Sequence, residues 1–190
     1  MIKKNLTQDD YNIAAWRLSC SPEAIKAVAS VESMGAGFLP SGEPKILFEP
    51  HVFSRLTNNK YDKSHPKTSY KKWGTYPYGT VSSQHGRLAE AAKLDRNAAL
   101  QSTSWGEFQI MGFNYGVCGY KSVQELVNDA YRGVDGHLEM FVRYVIGRRL
   151  DDELRRLDWA GFAYGYNGAG YAQNHYDTKM AAAYNRFNKS

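Results

Sequence analysis

The chain has 190 residues, of which 43% are hydrophobic, so it is long enough to bury one core without metals or disulfide staples. Two cysteines, Cys20 and Cys118, are too few for a disulfide framework or a thiolate zinc site, and they are expected to be buried free thiols. A formal net charge of +5 suggests an anionic partner, such as nucleic acid, an acidic membrane surface or a cell wall. The basic residues are scattered, apart from Arg148-Arg149, Arg155-Arg156 and the lysines between Lys60 and Lys72, so no nucleic-acid stripe is evident. No stretch approaches membrane-spanning length, and the first ten residues show no export signal.

In chain order, the first strong signal is Ser21-Pro22-Glu23, an N-cap followed by proline at the first helical position and an acidic first turn. A helix over residues 22–34 is predicted, stopped by Gly35 and Gly37. Pro40-Ser41-Gly42 is a turn signal, and Phe38-Leu39 and Ile46-Leu47-Phe48 on either side of it are predicted to pair as the one small β-hairpin. A short helix over 51–56 follows. Residues 57–83 are rich in Lys, Ser, Pro, Gly and Tyr without apolar periodicity, which predicts a long surface loop or lid.

Helical signals then return over 86–94 and over 95–100, the latter with Asp95 as cap. Ser122-Val123-Gln124-Glu125 reads as a capping box. Leu138, Phe141, Val142 and Val145 form an apolar helix face. Asp158 caps a helix carrying Trp159, Phe162 and Ala163, and Asp177 opens a last one with Met180, Ala181, Tyr184 and Phe187 at helical spacing. The predicted class is mainly α, with a small hairpin, in a single domain over residues 1–190.

One residue on this framework has a chemical signature. Ile25, Val28, Ala29 and Glu32 share a helix face, so Glu32 extends an apolar stripe in the last turn of its helix. Lost hydration and an unfavourable helix dipole both raise the pKa of such a carboxyl, as a general acid in glycoside cleavage requires. Spacing alone slightly favours a solvated glutamate at a frayed helix end.

The order of three segments decides between these readings: Val31-Glu32-Ser33, then Ser104-Trp105-Gly106-Glu107-Phe108-Gln109-Ile110-Met111-Gly112, then Ala163-Tyr164-Gly165-Tyr166-Asn167-Gly168. The series resembles that of goose-type lysozymes and lytic transglycosylases. More closely, residues 27–33, 46–53, 105–114 and 166–172 resemble the N-acetylmuramidase domain of phage endolysins over nearly the whole chain. The resemblance implies a mainly helical, lysozyme-like α+β fold with the hairpin beside the cleft. It also implies Glu32 as catalytic acid, and Gln109, Tyr166 and Asn167 as residues lining a glycan cleft. Their amides and phenol would hydrogen-bond acetamido groups, unless Gln109 and Asn167 cap loop backbones instead.

For the second carboxylate, Glu49 is favoured at the edge of the predicted strand, where it would activate water or attack the sugar. A bracing ion pair with a nearby Arg or His is the structural alternative. Glu107 is the rival, standing where related families carry an apolar residue, and it is expected to be an exposed helix-start glutamate. Tyr61, Tyr70, Trp73, Tyr76 and Tyr78 form an aromatic cluster in the long loop, suited to stacking on sugars or to anchoring the loop. The five histidines show no zinc spacing, so neither a metal nor a cofactor is expected.

The implied partner is the bacterial peptidoglycan glycan strand, with neither nucleic acid nor stable membrane association, and the protein is expected to be a monomer. The expected activity is cleavage of the β-1,4 bond between N-acetylmuramic acid and N-acetylglucosamine, causing lysis. A one-glutamate lytic transglycosylase and a non-catalytic wall-binding module are the alternatives. The chain shows no separate wall-binding domain, so its positive charge is expected to supply targeting. It is expected to reach the wall from the host cytoplasm through a holin-type lesion.

Overall fold

The computed structural model describes residues 3, 5–32 and 37–189. Its first helix, α1 (Gln8–Leu18), follows from a capping box at Thr7, where Asp10 N–H donates to the Thr7 hydroxyl and Thr7 N–H donates back to the Asp10 carboxylate at 2.7 Å. This helix was not foreseen. Helix α2 (Pro22–Glu32) begins as expected, with Ala24 N–H donating to Ser21 Oγ at 3.2 Å. Ile25, Val28 and Ala29 are all buried along it. The predicted stop at Gly35 lies outside the described residues.

The sheet differs from the expected hairpin. Strand β1 (Ile46–Phe48) pairs antiparallel with β2 (Thr103–Trp105), Ile46 opposite Trp105 and Phe48 opposite Thr103. Strand β2 pairs in turn with β3 (Ile110–Met111). Phe38 makes only a single bridge to Pro44, and the segment between them closes in a tight turn, Gly42 N–H donating to Leu39 O at 2.9 Å. The turn signal at residues 40–42 was therefore correct but its strand assignment was not. Residues 46–48 pair with a segment more than fifty residues away, a pairing that no local turn chemistry announces.

The β2–β3 turn is built for close packing. Gly106 has φ +72°, and a Cβ there would stand 2.5 Å from Cδ2 of buried His137, so both conformation and space require glycine. His137 in turn accepts from Glu107 N–H through Nδ1 at 3.1 Å and sits 2.8 Å from Ala130 O through Nε2. With the proton on Nε2 both contacts are satisfied, and burial pushes this imidazole down to about 4, which keeps it neutral.

Helix α3 (Pro50–Leu56) has proline at its first position. The long segment after it is less open than expected: Ser69 and Tyr70 are buried, Ser69 Oγ donates to Asp62 at 2.6 Å, and Tyr61 stacks on Phe53 while donating to Leu94 O at 2.9 Å. It ends in a 3-10 turn at Val81–Ser83. Helices α4 (Gln84–Leu94) and α5 (Arg96–Gln101) follow, α5 capped by Asp95 as expected.

Helix α6 (Val123–Arg132) is capped by Ser122, but Glu125 reaches back to Lys121 N–H at 2.8 Å rather than to the cap's own N–H. Helix α7 (Val134–Arg148) buries Leu138, Phe141, Val142 and Val145. The short α8 (Asp151–Arg156), also unforeseen, carries acids in its first turn and arginines in its last, with Arg155 3.1 Å from Asp151 and Arg156 2.7 Å from Asp152. Helix α9 (Trp159–Asn167) is capped by Asp158, and α10 (Tyr176–Phe187) packs along α2.

The result is a mainly α fold, as expected, with one small three-stranded antiparallel sheet. Stacked rings of Phe108 and Phe141, 4.4 Å between centroids, lie in the buried core. Cys20 and Cys118 are free thiols. Among the described residues, no helix is long and apolar enough to cross a membrane.

Candidate active site

A cleft of about 460 Å³ runs between the sheet, the end of α2 and the end of α9. Glu32, Glu49, Gln109, Tyr166 and Asn167 all line it, contributed by four separate stretches of chain, which is the geometry of a ligand site.

Glu32 is the last residue of α2 and points from the buried Ile25–Val28–Ala29 face into the cleft wall. Burial pushes its carboxyl up to about 7, opposed by one hydrogen bond, from Asn167 Nδ2 at 2.7 Å. Asn167 closes α9, and its other amide atom, Oδ1, is buried without a partner among the described residues.

Glu49 follows β1 directly and occupies the N-cap position of α3 without capping it through its side chain. The side chain, 16% exposed, instead accepts a short hydrogen bond from Tyr78 Oη. His51 Nδ1 lies 3.3 Å from Glu49 Oε2, near enough to attract but not aligned as a hydrogen bond. Burial holds the Glu49 carboxyl above its ordinary value, opposed in part by the Tyr78 hydroxyl, His51 and Arg87. The two carboxyls thus stand in different surroundings, Glu32 with one neutral donor and Glu49 with a phenol and two potential cations.

Gln109 and Tyr166 are wall residues whose polar atoms are engaged by the protein. Gln109 has φ +48°, accepts from Ser104 Oγ at 2.8 Å, and donates to Gly106 O at 2.8 Å, so its amide braces the β2–β3 turn. Tyr166 donates to Phe108 O at 2.7 Å, and its ring is held between Phe162, stacked at 5.2 Å, and Tyr144, edge-on at 5.3 Å.

Glu107 does not stand where it was expected. It sits in the turn between β2 and β3, not at a helix start, and burial pushes it up to about 7. It is not among the described residues lining the cleft that holds Glu32 and Glu49.

Two residues at the site escaped sequence reasoning, Tyr78 against Glu49 and Gln84 in the cleft wall. Tyr78 was one aromatic among five, and only the fold shows that it touches a carboxylate. Buried Gln84 accepts from Phe48 N–H at 3.2 Å and donates to Tyr78 O at 2.7 Å, so it fastens the loop carrying Tyr78 to β1. Its only sequence signal was a polar residue at the start of a helix.

A family model described as N-acetylmuramidase matches residues 21–188, a span that contains every cleft residue named above. The chain belongs to the N-acetylmuramidase family. With that membership come peptidoglycan as substrate and hydrolysis as reaction. The crystal structure of the Burkholderia AP3 phage endolysin is similar to it at 40% sequence identity and a TM-score of 0.87, covering 97% of this chain and 71% of that one. No curated protein is matched. Among the described residues, no cluster of three or more His, Cys, Asp or Glu has the arrangement of a metal site.

Proposed function

We propose that this N-acetylmuramidase cuts the β-1,4 bond between N-acetylmuramic acid and N-acetylglucosamine in peptidoglycan glycan strands, with Glu32 as general acid and Glu49 as second carboxylate. The observation that carries this reading is that both carboxyls line one cleft, Glu32 beside a single amide donor and Glu49 beside a phenol, an imidazole and a guanidinium. A carboxyl at about 7 still holds its proton near neutrality and can deliver it to the departing glycosidic oxygen. Glu49, whose ionised form is favoured by Tyr78, His51 and Arg87 against the effect of burial, serves the anomeric carbon, through a water in an inverting enzyme or directly in a retaining one. Asn167 positions Glu32, while Gln109 and Tyr166 shape the wall against which the sugars lie. The likeness to a phage endolysin supports a role in lysis, the protein meeting the wall once the host membrane is breached.

Muropeptide mass spectrometry of digested sacculi tests the reaction. Reducible N-acetylmuramic acid ends are expected; anhydro ends would replace hydrolysis by transglycosylation, and reducible N-acetylglucosamine ends would move the cut to the other bond. Glu32→Gln is expected to stay folded and to lose a factor of about 10² to 10⁴ in rate. Near wild-type lysis by that variant would sink the assignment.

A further inference from the structure

Glu32 borders two cavities. Beyond the glycan cleft, a second hollow of about 540 Å³ opens between α2 and α10, lined by Ser30, Glu32, Asn174, Tyr176, Lys179 and Arg186 among others. Glu32 and Tyr176 belong to both walls, so the hollow continues the cleft on the far side of the acid. Its character is different. Lys179 and Arg186, seven residues apart and therefore on one face of α10, bring two exposed cations to it. The Ser30 hydroxyl proton is committed to Ala27 O at 2.9 Å, which leaves the oxygen as an acceptor.

We propose that this hollow is a subsite for the stem peptide of the substrate, with Lys179 and Arg186 receiving its free carboxylates. The inference rests on the muramidase reading above. In peptidoglycan the lactyl group of each muramic acid is amidated by a short peptide whose second residue is a glutamic acid with a free carboxylate. Each extended residue spans about 3.3–3.6 Å, so that carboxylate lies within roughly 10 Å of the sugar ring. A hollow of this size beside Glu32 is therefore within its reach.

Only every second sugar of the strand carries such a substituent. Two cations on one side of the acid consequently distinguish the sugars that an otherwise repetitive cleft would accept in either register. Ion pairing to an acidic peptide anchors the muramic acid and leaves its glycosidic oxygen facing Glu32.

The test compares kcat/KM, read as new reducing ends, on soluble peptide-bearing glycan strands and on the same strands stripped by an amidase. The wild-type protein is expected to prefer peptide-bearing strands by about ten-fold, as two partly exposed ion pairs would give. In the double variant Lys179→Ala/Arg186→Ala that ratio should fall to near one, and in Lys179→Glu/Arg186→Glu below one. Melting curves establish that both variants fold, which the exposure of the two side chains favours. A wild-type ratio near one, or a ratio unmoved by either variant, would overturn the subsite while leaving the muramidase reading intact. A wild-type protein inactive on both kinds of strand would overturn that reading, and the subsite with it.

Discussion

The single carboxyl of Glu32 couples activity and stability to pH in the same direction. Its pKa rises from 4.5 to about 7 on folding, chiefly by burial, so the folded protein holds the proton more tightly than the unfolded chain. Stability from this group is fully present below about 4.5 and is lost as pH climbs to about 7. Glu32→Gln, which cannot ionise, should melt close to wild type near pH 4 and higher than wild type at pH 8, by on the order of 2 kcal/mol after allowance for solvent screening. Calorimetry at the two pH values checks this, and a variant that melts lower at pH 8 would contradict a buried, strained carboxylate. Wild-type kcat/KM should fall on the alkaline side through about 7 as the acid loses its proton. On the proposed assignment, the acid side belongs to Glu49. Because the Tyr78 hydroxyl lowers the Glu49 pKa, Tyr78→Phe should move the acidic limb of the pH–rate profile to higher pH. An unmoved limb with a lower melting point would make Tyr78 a brace and nothing more.

At the scale of elements, Gln84 links β1 to the loop that carries Tyr78. Gln84→Ala would strip the buried Phe48 N–H of its acceptor, a cost of about 1–3 kcal/mol. Melting should drop by about 5 °C, and kcat should fall with it because Tyr78 is no longer held against Glu49. A full loss of stability with kcat untouched would disconnect the two. The same linkage shows what could be read from the chain and what could not. The caps at Ser21, Asp95, Ser122 and Asp158 were legible because a cap is decided within four residues. The apolar faces of α2 and α7 were legible because their large side chains repeat at helical spacing. Helix α1 escaped because it buries two alanines and Leu18 while leaving Trp16 82% and Ile13 62% exposed, so its large residues trace the wrong face. Helix α8 is too short to show a period. The pairing of β1 with β2, the burial of Glu107 and the Tyr78–Glu49 contact all join distant segments, and local chemistry carries no sign of them. Glu32 was legible because its motif and its helix face agree.

For the molecule as a whole, a net charge of +5 faces a polyanionic wall. Exposed charges are screened beyond about 8 Å at about 0.15 M salt, so association with sacculi should weaken steadily between about 0.05 M and about 0.5 M salt. A pull-down that does not change over this range would show that the cleft alone holds the wall. The contact between Asn167 and Glu32 has a consequence of another kind, in the order of events by which the chain becomes active. The two residues are 135 positions apart, and the helix that covers α2 is α10, near the far end of the sequence. Contacts of such separation close late, after the loop entropy between them has been overcome. A nascent or C-terminally clipped chain therefore carries Glu32 as an ordinary hydrated glutamate, ionised at neutral pH and unable to protonate a leaving group. The ability to cut the wall is acquired only when the last helices dock.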